Sequence, residues 1–288
     1  MKHALILISL TTTISLSSCE KNTTVEPIEP KTSAGARAAS AAGDLPALTI
    51  PHRLIKHGNR TLSYDEKNRL VNVSDGISTV EYSYPSGGCT VKTSRNGLMV
   101  DEVRYHLNVS GRATTFETRK LIGFKTVNKQ QQPVYSEQKY TAAYKPETGQ
   151  LGLISSATYD SFEKYAFTYG ENQTLSQIKY YNPSGKLVQT ITFNYYASDN
   201  DLRLNPDINE SYMEPYLNVF GSFSKQLLYS RKVAVNNVLT TNEYYKYKYD
   251  SKGFIANRDR YNGLTNAYLD TVPFEFVTIP PVLSPLGQ

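Results

Sequence analysis

From about residue 52 onward, apolar and polar side chains change places at every second position. In Lys186–Tyr196 one face carries Leu187, Gln189, Ile191, Phe193 and Tyr195, and the other Val188, Thr190, Thr192, Asn194 and Tyr196. Met99, Val103, Tyr105 and Leu107 alternate with Glu102, Arg104 and His106, and Val80, Tyr82 and Tyr84 with Glu81 and Ser83. A period of two with one apolar face is the signature of half-buried antiparallel strands. About a dozen such segments are legible, too many for one flat open sheet, so the chain is expected to curl. The predicted fold class is all-β: a large curved antiparallel β-meander, barrel-like or half-barrel.

The turns between segments carry their own chemistry. Tyr64-Asp65-Glu66-Lys67-Asn68-Arg69-Leu70, Tyr181-Asn182-Pro183-Ser184-Gly185-Lys186-Leu187 and Tyr249-Asp250-Ser251-Lys252-Gly253-Phe254 share one plan, with looser copies at Tyr144–Leu151 and Tyr169–Leu175. Asp or Asn bonds its own backbone to open the turn, and Gly or Asn supplies the positive φ that closes it. Tyr ends one strand and the apolar residue starts the next. One stretch breaks this rhythm. Asn205-Pro206-Asp207 reads as a helix cap, with Ile208, Tyr212 and Tyr216 spaced by four and Gly221 as a stop, which predicts a short helical insertion near 205–221.

Composition adds the material of the core. The chain has 23 Tyr and 10 Phe but no Trp, a balance that favours pleated surfaces. Near its end, Glu243–Tyr249 places Tyr245, Tyr247 and Tyr249 on one face, and Tyr244 with Lys246 and Lys248 on the other. Lysine resists burial, so the three-Tyr face is expected to pack and Tyr244 to be the contact aromatic on a wet face. A formal net charge of +5 is too small and too scattered to imply nucleic acid as a partner.

The N-terminus reads as a processing segment. Lys2 and His3 precede the apolar run Ala4–Leu10, too short to span a bilayer. Leu16-Ser17-Ser18-Cys19 resembles the bacterial lipoprotein signal, which implies cleavage before Cys19 and diacylglycerol on its sulfur. Residues 1–18 are then a signal peptide, 19–51, rich in Ala, Pro, Ser and Thr, a lipidated flexible tether, 52–279 a single β-rich domain and 280–288 an irregular tail. Only one other cysteine exists, Cys89, read as a small buried hydrophobe or a free thiol.

The Tyr-Asp hairpins resemble the YD repeats of large bacterial surface and toxin shells. Together with the lipoprotein signal, the insertion at Asn205–Asn209, Gly221-Ser222-Phe223-Ser224-Lys225 and the hairpins around Tyr244–Tyr249, they are similar to a Bacteroidetes-type lipoprotein family of unknown function with a porin-like fold. The resemblance covers most of residues 55–278. It implies a fold and an outer-membrane lipoprotein location, facing the periplasm or the cell surface, and brings no catalytic residues. A lipid-spanning porin is not expected, because Gln189 and Asp101 interrupt the apolar faces and a spanning barrel needs an unbroken lipid-facing band.

Candidate chemistry is sparse. No nucleophile elbow, P-loop or dinucleotide fingerprint occurs. His52 and His57 lack helical ligand spacing and read as surface histidines; His106 sits alone on a polar face. Asp199–Glu210 has acids at calcium-loop spacing, but Arg203 and Leu204 stand where an oxygen ligand and a Gly are needed. No metal, cofactor or catalytic residue is therefore assigned. Glu102 with Arg104 and Glu117 with Arg119 read as charge pairs on a solvated face. Asp270-Thr271-Val272 resembles the three-residue O-glycosylation signal of Bacteroidetes envelope proteins, with Thr271 the acceptor. The expected function is a non-catalytic, lipid-anchored cell-envelope protein that meets the membrane through its lipid and binds a glycan or envelope protein. The alternatives are a glycan-acting hydrolase using strand carboxylates and a purely architectural shell component. The anchor has a direct check: a fatty-acid analogue is expected to label the protein, and Cys19→Ser to lose both the label and membrane association, whereas equal labelling of the variant removes the anchor.

Overall fold

The computed structural model describes residues 52–279, apart from 159, 171–172, 200–213 and 225. The signal, the tether with Cys19, the calcium-like loop beyond Asp199 and the tail lie outside the described residues.

Sixteen strands occur among the described residues. They are β1 (His52–His57), β2 (Arg60–Tyr64), β3 (Leu70–Ser74), β4 (Ser78–Ser83), β5 (Gly88–Arg95), β6 (Leu98–Leu107), β7 (Ala113–Val127) and β8 (Gln130–Tyr144). The second half holds β9 (Leu151–Ser156), β10 (Lys164–Tyr169), β11 (Leu175–Tyr181), β12 (Leu187–Asp199), β13 (Gln226–Val235), β14 (Val238–Tyr249), β15 (Ile255–Asn262) and β16 (Tyr268–Thr278). Each pairs antiparallel with its neighbours in sequence, and β1 pairs with β16, with His52 opposite Thr278. The meander is therefore a closed barrel. Closure leaves no unpaired edge strand.

The turns form as their residues dictate. Asp65 Oδ1 accepts the backbone N–H of Lys67 and Arg69, Asn182 Oδ1 those of Ser184 and Lys186, and Asp250 Oδ1 those of Lys252 and Phe254. Asn68 closes its turn at φ 59°, and Gly185 and Gly253 do so at 78° and 84°. Tyr64 then lies opposite Leu70, Tyr169 opposite Leu175, Tyr181 opposite Leu187 and Tyr249 opposite Ile255, each across a register shift.

Apolar side chains point into the lumen, joined on the inward face of Tyr245 and Tyr247 by Arg231, Glu243, Arg258, Arg260 and Asp270, of which Arg260 pairs with Glu243 and Asp270. Leu62, Val73, Tyr82, Val91, Tyr105, Phe116, Tyr140, Ile154, Phe167, Ile178, Ile191, Phe193, Val233, Tyr245 and Phe274 belong to one continuous buried core. The outer wall carries ion pairs between and along strands: Lys92–Glu81, Arg104–Glu102, Lys139–Glu117, Arg119–Glu137, Lys248–Asp259 and Lys56–Glu275. This is the reverse of a lipid-spanning barrel, whose apolar band faces outward. Asp101 and Gln189 interrupt faces that turn to the lumen rather than to lipid.

A barrel of eight strands is filled by its own side chains, whereas sixteen ordinarily leave an aqueous channel. Two devices fill this one. Long tyrosines lean inward and end on backbone carbonyls: Tyr64, Tyr84, Tyr144 and Tyr247 donate to Leu54, Leu70, Ala113 and Leu228 at 2.6, 2.7, 2.7 and 3.0 Å. The segment after β12 enters the lumen as well. Its Val219 carbonyl accepts the Ala113 N–H at 2.6 Å and its Phe223 carbonyl the Leu175 N–H at 2.7 Å. Phe220 lies edge-on to Tyr105 and Phe116, and Phe223 stacks with Phe167. The expected helix is absent from the described part of this insertion, 214–224, which makes turns instead. Tyr216, Val219 and Phe220 are buried, but the segment's partners span strands from β1 to β11, so its backbone follows those separate anchors rather than one helical face.

The paired tyrosine faces of β14 give a stability test. Tyr245 is buried and Tyr247 packs against the core, while Tyr244 stands on the outer wall stacked on Tyr261 at 5.0 Å. Tyr247→Ala is expected to cost about 3 kcal/mol. Tyr244→Ala loses the ring pair and the approach of the Lys246 ammonium to its ring, together roughly 1 kcal/mol. Urea unfolding of both variants measures the difference, and the opposite order would place the wrong face in the core.

Candidate functional site

The even-to-odd turns and the β12–β13 insertion share one end of the barrel. Towards the other end the lumen stays partly open, as a cavity of about 400 Å³. Its floor is the insertion, through Glu214, Pro215 and Tyr216, and its wall is built mainly by β4, β5 and β6. The alternation of β6 that buries Val103 and Tyr105 also turns Asp101 inward, opposite Lys120 of β7.

Two carboxylates line this space, Glu214 on its floor and Asp101 on its wall. Glu214 accepts the Tyr82 hydroxyl at 2.8 Å and the Tyr216 N–H at 3.2 Å. Burial outweighs those hydrogen bonds and pushes its carboxyl up to about 6. Asp101 is raised too, again by burial, against the pull of Lys120. Its Oδ1 is buried and has no hydrogen-bond partner. Arg60 and Lys120 line the same cavity but are exposed.

His57 corrects the surface reading of its sequence position. A register shift between Leu54 and Lys56 turns Lys56 outward to Glu275 and His57 inward. There its Nδ1 is hydrogen-bonded to the Tyr216 hydroxyl at 2.9 Å, and its ring lies 4.8 Å from Phe274. Burial first, then the charges of Arg258 and Arg60, pull its pKa down to about 4, so it is neutral. His106 is exposed on the outer wall, and His52 packs on Phe254 and Phe276.

Another buried acid escaped the sequence reading. Glu163, in the β9–β10 connection, takes the hydroxyls of Tyr140, Tyr165 and Tyr180 at 3.2, 3.5 and 3.3 Å. Its only sequence signal is an acid flanked by aromatic residues. Cys89 is buried and free, its thiol pushed up to about 11 by burial. Among the described residues no group of three His, Cys, Asp or Glu is placed to hold a metal.

The residues singled out in the sequence fall elsewhere. Glu102 and Glu117 stand on the outer wall beside a depression of only about 40 Å³, far below the roughly 300 Å³ of a typical ligand pocket. Lys139 holds Glu117 below the usual carboxylate range, the opposite of what a general acid needs. Thr271 is exposed on the outer wall, where its hydroxyl bonds Asp259 and Tyr268. Tyr244 and Tyr261 stack there, Tyr268 lies edge-on to Tyr261, and the Lys246 ammonium sits 4.9 Å from the Tyr261 ring centre.

Two solved structures share this architecture. A porin-like protein from Bacteroides uniformis ATCC 8492 superposes with a TM-score of 0.55 at 15% identity, over 81% of this chain and 99% of that one. A porin-like protein from Bacteroides vulgatus ATCC 8482 gives 0.52 at 13% identity, over 77% and 97%. The fold is theirs. No family model matches the chain, and neither does any curated protein.

The two buried titrations act on stability in opposite directions. Glu214, raised in the folded state, stabilises the fold at low pH, and that contribution is lost as pH rises from 4.5 through about 6. His57, depressed in the folded state, removes stability as pH falls from 6.5 towards about 4. Glu214→Gln keeps an acceptor for Tyr82 and removes the buried charge. It is expected to unfold at higher urea than the wild type near pH 7.5, by about 2 kcal/mol, and to match it near pH 4. An equal difference at both pH values would show that Glu214 carries no such shift.

Proposed function

We propose that this chain is a lipid-anchored, non-catalytic binding protein of the outer-membrane envelope, holding a small ligand in its lumen. The observation that carries the reading is the direction of the barrel's polarity. With cross-strand ion pairs along the outer wall and a packed, insertion-crossed lumen, the wall is suited to water, and the Cys19 lipid is the group suited to the membrane. The cavity above the insertion is of ligand size and combines aromatic walls with a few converging polar groups. Orientation towards the periplasm or the exterior follows from sorting of the lipid. The outward cluster at Tyr244 and Lys246 offers a partner protein or glycan a second contact face, beside Thr271 as a glycosylation site.

One observation favours a second reading, glycan hydrolysis: Asp101 and Glu214 are two raised carboxylates in a single cavity, the type of pair glycosidases use. Release of reducing sugar from envelope glycans, lost in both Asp101→Asn and Glu214→Gln, would decide for it.

The binding reading is tested by the protein's behaviour at a membrane. The whole protein, lipid included, is expected to bind vesicles and add no conductance to a planar bilayer, and a Cys19→Ser form to stay folded without detergent. Stepwise channel currents, or aggregation of the unlipidated form until detergent is added, would overturn it.

A further inference from the structure

Closure pairs every strand within the barrel, but the outer part of one hairpin runs beyond it. β6 pairs with β7 only as far as Lys120, and β9 pairs with β8 only from Tyr140 onward. Past those limits residues 121–127 and 130–135 pair with each other alone, as a two-stranded ribbon at the end away from the insertion. His52 and Thr278, where the chain enters and leaves the barrel, pair at the insertion end, so the ribbon stands clear of the point where the N-terminal segment joins.

The turn fixes which backbone groups of the ribbon face outward. Asn128 and Lys129 have φ of 51° and 67°, the two-residue hairpin turn whose flanking pair, Val127 with Gln130, is a hydrogen-bonded one. Bonded and non-bonded pairs alternate from there, so the N–H and C=O of Thr126 and Phe124 point away from β8, and those of Gln131 point away from β7. Pro133, opposite Phe124, has no N–H, which closes the β8 edge to a further strand. The β7 edge has no proline. Its outward N–H and C=O groups are a template for strand addition.

We propose that the β7 edge of this ribbon, residues 122–127, takes up an extended acidic segment of a partner protein as an added strand. This goes beyond the lumen-binding reading and does not depend on it. Charge sets the chemistry of the occupant. Lys125 and Lys129 are exposed, and no acid lies between Lys120 and Glu137 to balance them, so acids on an added strand supply the cross-strand partners. Ile122 and Phe124 are 65% and 54% exposed on the same stretch, which gives apolar side chains of that strand a surface to cover. Ile77, Phe162, Val238 and Leu264, exposed at or beside other turns of this end, give the body of the partner a surface to rest on. A second copy fits poorly, because pairing two such edges antiparallel brings the two Lys125 side chains together. A lipid surface offers the edge no strand to pair with.

The probe is a short fluorescein-labelled peptide alternating valine with glutamate, titrated into the full-length protein and followed by anisotropy. It is expected to bind, and the same peptide with lysine in place of glutamate to bind at least about tenfold more weakly. Thr126→Pro removes an outward N–H while leaving the ribbon's own ladder intact, and is expected to abolish binding. Gln131→Pro puts the same residue at an outward position of the edge that Pro133 already closes, and is expected to bind as the wild type does. Loss in both variants, or in neither, would overturn the edge assignment. Amide exchange measured by NMR on the wild type keeps the test independent of a variant that misfolds. Peptide binding should slow exchange at Phe124 and Thr126 by at least about tenfold, and unchanged exchange there would overturn the proposal. Equal binding of the lysine peptide would overturn the acidic occupant, and no anisotropy change with either peptide would overturn the strand. Self-association removed by Thr126→Pro would assign the edge to a second copy instead. Binding of the Cys19→Ser protein to anionic vesicles, lost in Phe124→Ser, would assign it to a membrane.

Discussion

Filling the lumen is the constraint on which the rest of this structure depends. Eight strands close around a space their own side chains occupy; sixteen enclose far more, and a void on that scale would either flood or collapse. The chain answers with length. Tyrosine reaches further inward than leucine and carries a hydroxyl that must be satisfied when buried. At Tyr64, Tyr84, Tyr144 and Tyr247 a backbone carbonyl of a strand supplies that partner. Arg53 over Tyr64 and Arg69 over Tyr84 then cover the rings on the wet side at 4.8 and 4.7 Å. What the rings leave open, the insertion after β12 fills with Tyr216, Val219 and Phe220.

That solution fixes which way the barrel faces. Once the lumen is an apolar core, the outer positions are free to be polar, and they are lined by cross-strand charge pairs such as Glu117 with Lys139. Such exposed pairs add little stability one by one. Their importance is in what they exclude, a lipid-facing wall. A porin-like fold and a lipid-spanning porin are thus separable: the topology is the same, and the alternation of side chains is shifted by one face. The cavity is where the filling stops. It is bounded below by the insertion and beside it by Asp101, the one acid in the otherwise apolar inward row of Val103 and Tyr105.

Much of this was legible in the sequence because it is local. Period-two alternation in 186–196 gave the strand and its inner face, and Asp65, Asn182 and Asp250 marked their turns. The faces of Tyr244 and Tyr245 were readable from Lys246 and Lys248 alone. Short strands such as Arg60–Tyr64 and Leu70–Ser74 hold too few residues to declare a period, which is why about a dozen segments were visible where sixteen strands form. Closure was open in the sequence, since the pairing of β1 with β16 joins residues more than two hundred positions apart. His57 was misread because a register shift within six residues reversed its side. The insertion's spacing of four suited a helix; its contacts to separate strands override that, and no local pattern records them. Asp101 was visible as an interruption of an apolar face, but only the fold shows that the interruption lines a cavity together with Glu214.

The central claim, that the polar wall faces water and the apolar wall the lumen, is open to one direct measurement. Spin labels placed singly at Glu102, Arg104, Glu117 and Lys139 can be examined on lipidated protein bound to vesicles, with relaxation by dissolved oxygen compared with relaxation by a water-soluble nickel chelate. The account predicts strong relaxation by the chelate at all four sites, with no advantage for oxygen. Protection from the chelate together with preferential relaxation by oxygen, in a continuous band around the barrel, would place that wall in lipid and contradict it.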